Sequence, residues 1–458
     1  MTNDNEKQKL SRRRFLKMGL GLAGMTAAGT MLPRSLLRPE RVVHAAPGVA
    51  QGPDDLVLRF VASDGWMYLP GANPPYHPDD MAPEGSPFTT YVFGFRNVTD
   101  LTEEQILGQK MKVQQIAPIW WIKEEQQCFL TLGNLGLAVR PDLIDAHTLH
   151  FHGFRNAIPI FDGEPHSSVG VPIARELVYY YKPHHPGTYM YHCHFEETEH
   201  VHMGMTGTVF VRPLQDGTAY EYPASSGKVF TRFAYNDGDG STGFDREFVQ
   251  CLTDVWTLSH WCDSHVQLPE WSDYQPDFYL LNGRVWPDTI EPNGLGPNIE
   301  SNPNAPGPDY DGDLIAPPGR PDLQYQPVSS LVECEAGESV LLRLVNMAFI
   351  EQTMRLGGIT MRVVARDATL LRGRDGTDLS YETEGVLIGA GESADAIFVA
   401  PPFDPSQAPD DYNRYLLHTR RYSHISNPGN EGQYGGQMTE VRVYPQGYGL
   451  PVQTAPNT

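Results

Sequence analysis

The chain has 458 residues and a formal charge of −22 at pH 7, from 34 Lys and Arg against 56 Asp and Glu. So acidic a surface argues against nucleic acid and anionic membrane as partners, and suits solubility or attraction of cationic donors. The length exceeds what one hydrophobic core usually serves, so two domains are expected.

Residues 1–45 resemble a twin-arginine export signal. Residues 11–17 read SRRRFLK, an apolar Gly/Ala-rich run continues to Met31, and Val43-His44-Ala45 offers a small-x-small cleavage site. The run is too short and too glycine-rich for a comfortable membrane span. No stable membrane association is expected, and the destination is periplasmic or extracellular. Without this segment, which carries a net +6, the charge is near −28.

From residue 54 to 213, short runs such as LVLRFVA, PIWWIK, CFLTLGN, ELVYYY and GTVFVRP alternate with Pro, Gly, Asp and Asn. Helical periodicity is scarce, and this is the pattern of an antiparallel β-sandwich. Trp120 and Trp121 read as core. LQDGTAYEYPASSGK reads as a linker, and a second sandwich is expected over 229–446. Within it, residues 292–321 form a long Pro/Asn/Gly/Asp loop, a surface insertion or a cover for a subunit interface or substrate path. Asp309, Asp311 and Asp313 alternate there like part of a calcium loop but lack its glycine and distal glutamate, so they read as a polar turn. Cysteines are few for an exported chain, and Cys251 with Cys262 could form a disulfide. The fold class is all-β.

The densest chemistry lies between His147 and Met205, which hold ten of the sixteen histidines. The interval opens HTLHFHG and closes YHCHFEETEHVHMGM. Imidazole, thiolate and thioether together are the ligand set of soft or borderline metals, copper above all. Residues two apart on a strand share a face. His150 with His152, and His192 with His194, therefore point one way, while Cys193 and His147 point the other. The pattern describes two metal sites back to back. Cys193, His147, one imidazole from the following loop and a long axial ligand would make a blue-copper centre. His200 and His202 compete for the loop position, and the spacing to Met205 favours His200.

HTLHFHG, FDGEP and PGTYMYHCHFEETEHVHMGM resemble segments of the multicopper oxidases, with weaker likeness through FYLLNGR, GESVLLRLVN and GVLIGAGESADAIFVAP. The resemblance implies two cupredoxin-like Greek-key domains and a laccase-like exported oxidoreductase. His147, Cys193, His200 and Met205 then resemble type 1 copper ligands. His150, His152, His192 and His194 resemble half the ligands of a type 2/type 3 cluster. In that family Cys193 and its neighbours His192 and His194 would carry single electrons to the cluster, where dioxygen is reduced, and Asp162 of FDGEP would assist proton delivery. The donor would be a small molecule or ion of unspecified kind. The loop from Cys193 to His200 is two residues longer than the usual HCH-x3-H.

A full cluster takes eight histidines, and this chain supplies four; the second domain reads NMAFIEQTMRLGG where more would be expected. Completion would require a subunit interface, so a homo-oligomer is expected, with a trimer favoured. An alternative resemblance is to the trimeric copper nitrite reductases, whose type 2 copper takes a third histidine from a neighbouring subunit. His418 in YLLHTRRYSH stands at that position. Against it, His150 replaces an active-site carboxylate, and Ile359 follows Gly357-Gly358 where a catalytic histidine would stand. A third reading is a non-catalytic electron carrier or copper-binding protein. His166, His184 and His185 are expected as exposed loop residues, with a place along a substrate or copper entry path as the alternative.

Overall fold

The computed structural model describes residues 52–70, 80–155, 157–294, 314–430 and 432–458. The expected signal, and residues 295–313 with Asp309, Asp311 and Asp313, lie outside the described residues. Eight strands build the first sandwich: β1 Leu56–Met67, β2 Thr90–Asn97, β3 Trp120–Lys123, β4 Cys128–Asn134, β5 His150–Phe151, β6 Glu176–Tyr181, β7 Gly187–His192 and β8 Thr206–Arg212. One sheet has the order β2-β1-β4-β6 and the other β3-β8-β7-β5. Short helices α1 (Glu103–Leu107) and α2 (Glu197–His202) interrupt the sequence. The sequence suggests antiparallel sheets, yet β1/β4 and β3/β8 are parallel. Parallel neighbours need a crossover rather than a hairpin.

A ribbon of β9 (Tyr220–Glu221) and β10 (Val229–Phe230) follows. The expected linker is thus pinned: Gln215 donates to Asp237, and Asp216 accepts from the Phe233 amide. In the second sandwich, β11 (Arg246–Val255) lies between β12 (Phe278–Leu281) and β14 (Ser339–Asn346), which pairs with β20 (Ser393–Val399); beside β20 is β16 (Met361–Arg366), which also pairs with β17 (Thr369–Leu370) and β18 (Tyr381–Thr383). The facing sheet runs β13 (Val332–Glu335), β22 (Met438–Tyr444), β21 (Asn413–Thr419), β15 (Gln352–Leu356) and β19 (Gly385–Ile388). Beyond 446, the expected end of this sandwich, the tail still folds back: Gln453 and Asn457 accept from the amides of Glu247 and Val249.

Strand β7 shows how sequence alternation sets the architecture. Tyr189 and Tyr191 enter the first core with Trp120 and Phe151. Met190, on the other face, joins Phe210, Val249, Cys251 and Val345 in a cluster spanning both halves. Each such side chain removed from water is worth about 1.5–3 kcal/mol. The same face carries Thr188, whose hydroxyl accepts from buried Arg343 of β14 at 2.8 Å. Arg343 also donates to Glu247 at 3.1 Å, and Arg212 and Arg232 close on the same carboxylate. Burial alone would raise Glu247, but the three guanidiniums hold it down at about 2. All five cysteines are free, which corrects the suggested Cys251–Cys262 pair. Cys251 belongs to the apolar cluster between the halves, and Cys262 lies on helix α3 (Thr257–Ser264).

Candidate metal centres

His150 pairs directly with His192 across β5 and β7, and Cys193 follows at the strand end. Parity then sends sulfur inward, beside Tyr191 and Met205 in the first core. His147 is held there by backbone bonds exchanged with Val171. Cys193 Sγ lies 3.8 Å from His147 Nδ1 and 3.3 Å from His200 Nδ1. Those spans suit donors about 2.0–2.3 Å from a common ion. The Thr148 amide points at the sulfur from 3.5 Å. Met205 is fully buried; its amide donates to the His200 carbonyl and its own carbonyl accepts from the Cys193 amide.

Where the sequence suggests a loop, α2 forms, entered through Glu196 with a left-handed backbone at φ 45°. Successive helical residues turn by about 100°, so His200 and His202 diverge. His200 meets Cys193, whereas His202 accepts from the Trp256 amide at 3.1 Å and packs on His260. Burial alone would lower His200, but negative charge on Cys193 and the Asp145 carboxylate reverse this and raise it to about 10. Burial, with help from His200, holds His147 well below the imidazole range.

The second group lies on the other side of the same strand end. His150, His152 and His192 bring ring nitrogens within 4.8 Å of one another. The His194 ring lies 4.8 Å from that of His150. Each Nδ1 of the three is fixed by a carbonyl: His150 by Asp162 at 2.6 Å, His152 by Gly391 at 3.1 Å, and His192 by Cys193 at 2.8 Å. A carbonyl only accepts, so each Nδ1 carries the proton and each Nε2 presents a lone pair. The Nε2 atoms of His152 and His192 are 2.9 Å apart. Two bare lone pairs repel at that distance unless a cation lies between them. Nitrogens about 2.0 Å from one ion at a right angle stand about that far apart. The donor set fits a metal. Burial, then neighbouring imidazoles, lower His192 to about 3; burial lowers His152 too. Both rings stay neutral, as ligation requires.

A cavity of about 450 Å³ opens onto this group, with His150, His152 and Asp162 on one wall and Asp367, Gly391 and Ser393 of the second half on the other. Asp162 presents its carboxylate 3.8 Å from His150 Nδ1, while its carbonyl makes the hydrogen bond. His184 and His185 line a smaller neighbouring cavity, and His166 is exposed beside Glu164. Trp120 is buried in the first core, and Trp121 stacks on Phe210. His418 stands apart on β21, half-buried, and joins no metal-ligand group among the described residues. Its Nδ1 contacts the next residue's carbonyl at 2.8 Å, as His192 does. Sequence reading missed Gly391, Asp145 and Glu196. Glu196 lies inside the longer loop, which is the one signal that pointed toward it.

Residues 122–215 match the sequence family described as multicopper oxidase. Over that stretch the chain resembles a multicopper oxidase domain. The stretch contains both histidine motifs, Cys193 and Met205, and excludes His418. The whole fold is similar to a blue copper oxidase from Nitrosomonas europaea, at 17% identity, TM-score 0.53, and coverage of 86% of this chain and 87% of that one. It is also similar to the multicopper oxidase mgLAC, at 16% identity, TM-score 0.54, and 87% and 88% coverage. A copper nitrite reductase from Nitrosomonas europaea shares the fold at 14% identity, TM-score 0.50, and 88% and 96% coverage. Comparison with curated proteins finds no match. The matched stretch thus sits in an all-β fold shared with these proteins.

Proposed function

We propose that the protein is an exported copper-dependent oxidoreductase of laccase-like type, taking electrons singly from a small donor and delivering them to dioxygen. Copper held by His147, Cys193, His200 and Met205 would supply one-electron redox chemistry, and copper held by His150, His152, His192 and His194 would supply the site for oxygen reduction. One observation carries this reading: Cys193 offers its sulfur to the first group while its own carbonyl accepts from His192 of the second at 2.8 Å. The two groups therefore share a single residue. Asp162 stands at the cavity wall as a proton carrier. The second half lends the Gly391 carbonyl and a wall that limits water.

With four histidines per chain, the open group is completed at an interface between copies, a trimer being favoured. A second reading, a nitrite-reductase-like trimer with one type 2 copper per interface, is favoured by the anchoring of His418, which leaves its Nε2 edge available. The deciding experiment is copper content together with oligomeric mass, followed by anaerobic reduction and exposure to air. Reoxidation by air with loss of dissolved oxygen supports the oxidase. Failure to reoxidise refutes it. Loss of one copper per chain in His418→Ala, with the blue colour kept, would establish the second reading.

A further inference from the structure

Helix α2 has little to hold it on its own. It spans six residues, is entered through left-handed Glu196, and has no side-chain cap at its N-terminus. A helix that short is unstable in isolation, so packing against other segments decides where it sits. Val201 supplies part of that packing in the apolar cluster between the halves. Its neighbour His202 supplies the directional part.

His202 is 5% exposed and lies in a box of four rings, all from the second half. Between ring centroids, His260 is 5.0 Å away, and Trp271, Tyr274 and Phe349 are each 5.5 Å away. The Trp256 amide donates to Nε2 at 3.1 Å, so the imidazole proton sits on Nδ1. That N–H is buried and has no hydrogen-bond partner among the described residues. A phenyl ring would fill such a box without that cost. What the imidazole adds is an acceptor for the Trp256 amide. The box is tied back to β2 of the first half, because His260 Nδ1 donates to the Tyr91 carbonyl at 2.6 Å. On the same strand, the Phe93 amide donates to the Met203 carbonyl, and the Phe93 ring meets that of His200 edge-on at 5.7 Å.

His200 and His202 are two residues apart, about 3 Å along the helix axis, so α2 cannot move at one without moving the other. We propose that His202 is a positioning residue through which the second half sets the place of His200 beside Cys193. The proposal rests on the reading that His147, Cys193 and His200 hold a redox metal. The residue that competes with His200 in the sequence thus acts on the metal through the helix, not as a ligand. A displaced His200 alters the geometry around the sulfur, and the colour and potential of a blue centre depend on that geometry.

The test compares His202→Phe, which fills the box but cannot accept from the Trp256 amide, with His202→Gln, which can. In metal-free protein, hydrogen–deuterium exchange over residues 197–205 should quicken at least about tenfold in His202→Phe, the effect of leaving one buried N–H without its acceptor. His202→Gln should exchange at close to the rate of the unsubstituted chain. In copper-loaded protein with unchanged copper content, His202→Phe should shift the blue band and the reduction potential, and His202→Gln should restore both. Phe349→Ala opens the box from its partly exposed wall and should move the same readouts, which keeps the test decisive if His202→Phe does not fold. Unchanged exchange in His202→Phe and Phe349→Ala, a His202→Gln that behaves like His202→Phe, or faster exchange with an unmoved blue band overturns the proposal. An unsubstituted protein that binds copper without colour would refute the underlying reading instead, while exchange in the metal-free protein still decides whether His202 holds α2.

Discussion

The two groups flanking Cys193 differ in what surrounds them. The Cys193 group is closed: His147, Cys193, His200 and Met205 are each at most 1% exposed, and every one comes from the first half. The histidine group is open: His150 and His152 are partly exposed beside a cavity, and one ring is held by a carbonyl from the second half. A closed site with a fixed ligand set suits electron transfer, because little rearranges when charge changes. An open one admits a small molecule and protons. Adjacent residues thus serve opposite requirements because a strand presents its side chains to opposite faces.

The sharpest way to break this comparison is Cys193→Ser. We expect complete loss of blue colour and of oxygen consumption, with copper retained in the open group, measured by absorption, oxygen electrode and metal analysis. Loss of copper from both groups would show that they are not separable.

A smaller effect distinguishes the groups by pH in the metal-free protein. His192 folds with its pKa lowered to about 3, so between pH 6.5 and that value the unfolded chain binds a proton that the folded chain does not. Its contribution is present above pH 6.5 and is lost as pH falls, by about 3 kcal/mol at pH 4. His200 behaves in the opposite sense: raised to about 10, its contribution is full below pH 6.5 and is lost as pH rises through 10. Urea midpoints across pH should therefore show an acid limb flattened by His192→Gln and an alkaline limb flattened by His200→Gln.

Asp162→Asn keeps the carbonyl that orients His150 and removes only the carboxylate. Copper content should stay constant while oxygen turnover falls about a hundredfold, as expected for loss of a positioned proton carrier. The smallest change is at Gly391, whose φ of +76° and whose Cβ position, 3.2 Å from His152 Cε1, both oppose a side chain. Gly391→Ala should push the ring aside and weaken copper in the open group about tenfold, leaving the blue band untouched.

Much of this was legible in the chain. HTLHFHG and YHCHFEETEH encode the two faces through the two-residue period, and that period needs only a strand. Tyr189, Tyr191 and Met190 encode the burial of β7 in the same way. Contacts between distant segments left no such trace. Gly391 meets His152 across 239 residues, and neither position carries a periodicity that names the other. The parallel pairings were invisible for the same reason, since alternation is identical in both directions. Helix α2 was hidden by its length: six residues span under two turns, too few to show an amphipathic repeat.

Helix α2 also bears on how the protein matures. It carries His200, and the chain running from it to Met205 is buried with the sulfur centre. With the four side chains of that centre at most 1% exposed, an ion that loads after folding would need a local opening of the surrounding chain. The same burial would make release as rare as that opening, so retention of an ion would depend on local stability there rather than on ligand strength alone.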